Sequence, residues 1–111
     1  MPPFPRIVVE KSVLPISANP EDTEAAEEVL QIIDAEAQLL ADKVRQLQLV
    51  RGRIEPTERT FNLNTNTIAG GQVFVRIGSG RYDRECVNRL LLEFEARVRV
   101  AVAARSRVEA A

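Results

Sequence analysis

Val73-Phe74-Val75-Arg76-Ile77-Gly78-Ser79-Gly80-Arg81-Tyr82 is the stretch that decides the fold. Its first five residues are β-branched or aromatic apart from Arg76, so they favour an extended strand, and Gly78 and Gly80 give the backbone freedom to turn out of it. About ten residues upstream, Thr60-Phe61-Asn62-Leu63-Asn64 alternates polar and apolar side chains, the period of a strand with one buried face. The link from Thr65 to Gly71 is longer than a two-residue turn, which predicts a hairpin with a wide loop over residues 59–78. A lone two-stranded hairpin is barely stable in water. Its edges are therefore expected to pair with hairpins of other chains.

Both flanks of the hairpin read as helix. Asn19-Pro20-Glu21-Asp22 starts the first: Asn19 can accept free amides, Pro20 suits the first helical position, and the acids favour the positive end of the dipole. Gly52 and Pro56 supply the stop, giving a helix over residues 20–52. Ala26, Leu30, Ile33, Ala37, Leu40, Val44 and Leu47 recur in alternating steps of four and three, a coiled-coil seam. Val29, Ile32, Leu39 and Val50 widen the stripe. Asp83 caps a second helix over residues 83–109, whose seam is Val87, Leu91, Phe94, Val98, Ala101 and Val108, with Arg105 at one seam position. Leu90, Leu92 and Val102 lie beside it.

Charge supports an antiparallel arrangement. Residues 1–42 carry nine acids and two bases, for −7, and residues 43–111 carry seven acids and thirteen bases, for +6. Folding the helices back on each other sets Glu21, Glu24, Glu27 and Glu28 beside Arg97, Arg99, Arg105 and Arg107, each exposed pair contributing about 0.2 to 1 kcal/mol. The expected fold is mostly α with a small β-hairpin: an antiparallel two-helix coiled coil with the hairpin between its helices. It occupies residues 20–111. Pro2, Pro3, Pro5 and Pro15 exclude a regular helix over residues 1–19, which reads as an extended arm even though Arg6-Ile7-Val8-Val9-Glu10 can form a strand.

Composition narrows the function. There is no His, which removes the usual general base near neutral pH and the Ser-His and Cys-His pairs. With one cysteine, Cys86, and no His, a zinc site of the usual ligand types cannot be built from this chain. Gly78-Ser79-Gly80 lacks the Lys and the full glycine pattern of a phosphate loop. Cys86, one turn into a helix, reads as an incidental thiol rather than a reactive one. A net charge of −1 argues against broad capture of nucleic acid, and no apolar run reaches the roughly 18 residues of a membrane span. The expectation is a cytoplasmic, noncatalytic protein with no cofactor, no nucleic acid and no membrane partner.

Val73, Val75, Ile77, Gly78, Gly80 and Tyr82 resemble the strand, Gly-x-Gly-aromatic turn and helix start of the prefoldin family, especially its α-type subunits. The stretch from Asn19 to Ala111 is similar to the helix, hairpin, helix plan of that family. The connection from Glu55 to Tyr82 is shorter than the two hairpins of an α-type subunit need. The resemblance implies a cochaperone in a hetero-oligomer joined through its hairpins, with Phe61, Leu63, Val73, Val75 and Ile77 at the oligomer interface. It further implies that the distal arm, at Ala25, Ala26, Val29, Val102 and Val108, grasps nonnative clients such as actin or tubulin. Val75-Arg76-Ile77-Gly78-Ser79-Gly80 also resembles the core of the growth-arrest-specific-related microtubule-binding domain, although that domain's Cys and His residues are absent. The alternative expectation is a permanent structural subunit of a large complex, microtubular or axonemal.

Overall fold

The computed structural model describes residues 6–47, 56–64, 69–78 and 84–110. Within them the chain runs β1 (Ile7–Pro15), α1 (Pro20–Gln46), β2 (Thr57–Asn64), β3 (Ala69–Ile77) and α2 (Arg84–Ala110). The fold is mixed α and β: two long helices and one small antiparallel sheet.

The sheet has three strands in the order β1-β3-β2. This corrects the two-stranded hairpin and the N-terminal arm together. Residues 7–15, expected to trail as an arm, form an edge strand that pairs with β3 from Ile7↔Ile77 to Pro15↔Ala69. On its other side β3 pairs with β2 from Thr57↔Ile77 to Asn64↔Gly70. The backbone amide of Gly78 donates to the Arg6 carbonyl at 2.9 Å, extending the β1–β3 ladder by one step. The β3 edge that was expected to recruit another chain is thus filled by the protein's own N-terminal segment.

Residue parity decides which sheet face is buried. In both registers odd-numbered residues stand opposite odd-numbered ones, and directly opposed residues share a face. Val73, Val75 and Ile77 on β3 and Phe61 and Leu63 on β2 are buried, and odd positions of β1 are half-buried beside them. Even positions such as Glu10, Thr60, Gln72 and Arg76 are exposed. One face is therefore dry and the other wet, the usual state of an antiparallel sheet with a single covering layer.

The covering layer is the helix pair. Asn19 begins α1 as expected: its side-chain oxygen accepts from the Glu21 amide at 3.4 Å, and its carbonyl accepts from the Asp22 and Thr23 amides, each at 3.1 Å. Lys43 meets Glu93 while Arg97 meets Glu36, so numbers fall along α1 as they rise along α2 and the helices are antiparallel. α1 lies over β1, tied to it by Lys11 and Asp34, and α2 lies over β2, where Phe61 and Phe94 meet edge to face at 6.0 Å between ring centroids. Ala26, Ile33, Leu40 and Val44 of the first seam are buried, as are Val87, Leu91, Phe94 and Val98 of the second. Arg97 pairs with Glu36 and Arg99 with Glu95, rather than with the acids of residues 21–28; the side chains of Arg105 and Arg107 fall outside the described residues. The helices and strands build a body of 49 × 21 × 19 Å in which both helices lie along the sheet. The expected second cap, Asp83, and the turn residues Gly80 and Tyr82 fall outside the described residues, as do residues 48–52 at the expected end of the first helix.

Candidate assembly surface

The residues expected at interfaces lie in the core. Phe61, Leu63, Val73, Val75 and Ile77 all occupy the odd face of the sheet, 0 to 5% exposed, beneath the chain's own helices. A strand side chain that meets α1 or α2 of its own chain has no surface left for another sheet. Ala25, Ala26, Val29 and Val102, expected at exposed arm tips, are 0 to 4% exposed. The helices do not leave the sheet to form a free arm; they run along it and bury these positions between the layers. The side chain of Val108 falls outside the described residues.

What remains outside has two characters. The open face of the sheet is mixed: it carries a cross-strand ion pair and polar side chains together with Val8, Phe74 and Leu14, the last 67% exposed. Arg76 donates to Glu58 at 3.0 Å across β3 and β2, and its guanidinium stands 5.4 Å from the centroid of Phe74. Thr60, Asn62, Ser12 and Gln72 lie on the same face with groups that water satisfies.

The outer face of the helix layer is different. Leu39 on α1 is 42% exposed, and Leu92 and Val100 on α2 are 53% and 69% exposed. Ala96 is also exposed, and the spacing 92, 96, 100 places three apolar residues on one line of the helix. Beside that line runs an open groove lined by Glu36, Ala96, Arg97, Val100, Ala101 and Ala104. The groove exists because alanines at 96, 101 and 104 leave the crest between α1 and α2 low.

Charged residues border the apolar line. Arg97 donates to both oxygens of Glu36, at 2.7 and 3.3 Å. Glu95 accepts from Arg59 at 2.7 Å and from Arg99 at 3.2 Å. Burial pushes the Glu95 carboxyl up, but the hydrogen bonds and charges of Arg59 and Arg99 outweigh it and hold the group below its ordinary value. The hydrogen bond and then the charge of Lys43 lower Glu93 in the same direction. The Glu36 hydrogen bond raises Arg97, which stays a cation throughout the accessible pH range. These are permanent charges at neutral pH.

By heptad pattern alone Leu39 widens the first stripe and Leu92 lies beside the second, and the pattern assigns Ala96 and Val100 no role. The signal was present: Leu92, Ala96 and Val100 form a second apolar line, out of phase with the seam Val87, Leu91, Phe94 and Val98. That second line lies outside the seam that α2 buries against its own chain.

Among the described residues no group of three or more His, Cys, Asp or Glu side chains could hold a metal ion, and no helix is long and apolar enough to cross a membrane. No protein-family model, curated protein or solved structure matches the chain.

Proposed function

We propose that this chain is a noncatalytic assembly subunit that joins other protein chains through the outer face of its helix layer. The observation that carries this reading is the line Leu92, Ala96 and Val100, exposed to water beside a low groove. Single exposed apolar residues are ordinary on any surface, whereas an aligned set flanked by charges has the layout of a helix-docking face. The prefoldin resemblance supplies two ideas, assembly and client holding. We adopt the first, as a structural subunit acting in the cytoplasm, because the side chains that the second requires at Ala25, Ala26, Val29 and Val102 are enclosed.

The test is native mass spectrometry of the chain purified gently from its own cells, beside a Leu92→Asp/Val100→Asp variant. The wild-type chain is expected in a complex with at least one further chain. The variant, whose changes fall on exposed positions, is expected to lose that complex with its far-ultraviolet circular dichroism unchanged. An undiminished complex in the folded variant would overturn the assignment of this face.

A further inference from the structure

The α2 segment Leu92-Glu93-Phe94-Glu95-Ala96-Arg97-Val98-Arg99-Val100 reads as its own complement about Ala96. Moving outward from Ala96, Glu95 is matched by Arg97, Glu93 by Arg99, and Leu92 by Val100. Charge changes sign about this point while apolar character is kept. We infer that the outer face of α2 docks antiparallel on the same face of a second copy of this chain, about a two-fold axis beside Ala96. This deepens the assembly reading above and rests on it.

Helix geometry carries the argument. With about 100° per residue and Ala96 pointing at the axis, Leu92 and Val100 lie about 40° to either side, and Glu93 and Arg99 about 60°. Arg97 lies further round on the flank of Glu93, toward α1, and Glu95 further round on the flank of Arg99, toward β2. An antiparallel two-fold keeps each flank on its own side and inverts heights. Glu93 of each copy then approaches Arg97 of the other, and Arg99 of each approaches Glu95 of the other. Four opposite-charge pairs result. A parallel pairing of the same faces brings Glu93 toward Glu95 and Arg97 toward Arg99, like against like, which is penalised.

The apolar line fits the same operation. Leu92 of one copy falls over the hole formed by Ala96, Arg99, Val100 and Ala103 of the other, the four-residue hole that receives a knob in helix packing. Ala96 at the axis lets the two backbones approach closely. The intrachain ion pairs do not compete: Arg97 is half-exposed while holding Glu36, and Arg99 is 46% exposed while holding Glu95. A guanidinium has five N–H donors, so each can accept a second carboxylate. Glu36 meanwhile fixes Arg97 along the groove where the incoming Glu93 is needed.

A contact of one helix face is at the small end of specific interfaces, below about 1,200 Å² in all, so the dimer is expected to dissociate on dilution. Sedimentation equilibrium of the pure full chain should move from the mass of one chain, 12.4 kDa, toward twice that as concentration rises. Ala96→Arg sets two like charges at the axis and should weaken association by more than about tenfold. In a Cys86→Ser background, Ala96→Cys should oxidise to a disulfide-linked dimer far faster than Thr60→Cys, which lies on the open sheet face. A chain that remains single up to about 1 mM, the weak limit of a specific contact, would overturn the inference. So would Ala96→Cys cross-linking no faster than Thr60→Cys, a comparison that stands even if Ala96→Arg misfolds. A single chain in pure solution combined with a complex from cells that Leu92→Asp/Val100→Asp abolishes would replace the second copy by a different partner and leave the assembly reading intact.

Discussion

A Cβ added to Gly71 would sit 1.8 Å from the carbonyl oxygen of Ser12, and 2.8 Å from its carbonyl carbon. Both are backbone atoms of β1, so no side chain can swing aside; the strand itself must move. Gly70, one residue earlier, would place its Cβ 4.0 Å from the Leu63 carbonyl oxygen, an ordinary contact. Gly71→Ala is therefore expected to destabilise the fold by about 2 to 3 kcal/mol, and Gly70→Ala to stay within about 0.5 kcal/mol of wild type. Denaturant unfolding of the two variants checks the contrast, and equal effects would contradict the close approach of β1. Nothing in the sequence separates these neighbouring glycines. They read alike as loop residues, and the difference arises only because β1 arrives on one side of β3. Asn19 was the opposite case: its capping oxygen, Pro20 and the two acids that follow act within one turn, so the start of α1 was legible from local chemistry alone.

Among elements, β2 and β3 were legible for a related reason. Phe61 and Leu63, and Val73, Val75 and Ile77, carry a period of two that survives in any context with one dry face. What the period cannot report is what covers that face. A second sheet and a pair of helices demand the same alternation, and the chain's own helices proved to be the cover. The consequence for mutation is direct. On the platform reading, Val75→Asp would part subunits and spare the helices. In the observed fold Val75 is 1% exposed between layers, so an unpaired carboxylate there should cost several kcal/mol, on the order of 3 to 5. Circular dichroism of Val75→Asp is expected to lose helix and sheet together; a fully helical, folded variant would restore the external-platform reading. β1 was missed because its prolines signalled an arm, and because a strand whose partner lies at the far end of the sequence leaves no local mark. Pro15 sits at the last position of an edge strand, where a missing amide is tolerated.

For the molecule as a whole, ion pairs tie one element to another: Lys11 to Asp34 joins β1 to α1, Lys43 to Glu93 and Arg97 to Glu36 join the helices, and Arg59 to Glu95 joins β2 to α2. Each is partly exposed and individually modest. Their pH dependence is shared. Glu93 and Glu95 hold protons less tightly in the fold than in the unfolded chain, so the unfolded state takes up more protons as pH falls through the ordinary carboxylate range, around 4. The stability they lend is complete above that range and is lost below it as pH passes through their lowered folded-state values. Thermal unfolding should occur at progressively lower temperature from about pH 5 downward, and Arg59→Ala should shift the carboxyl titration of Glu95, followed by nuclear magnetic resonance, back upward. A Glu95 titration unchanged by Arg59→Ala would contradict the pairing. The order β1-β3-β2 has a further consequence for how the chain is born. Because β1 leaves the ribosome well before β3, its amides and the apolar side of α1 must wait without a place to dock until β3 emerges. Closing a loop between Ile7 and Ile77 is entropically slow. Folding of the sheet is thus tied to the emergence of β3, and until then the nascent segment exposes unpaired strand amides and apolar side chains of the kind that invite misassembly.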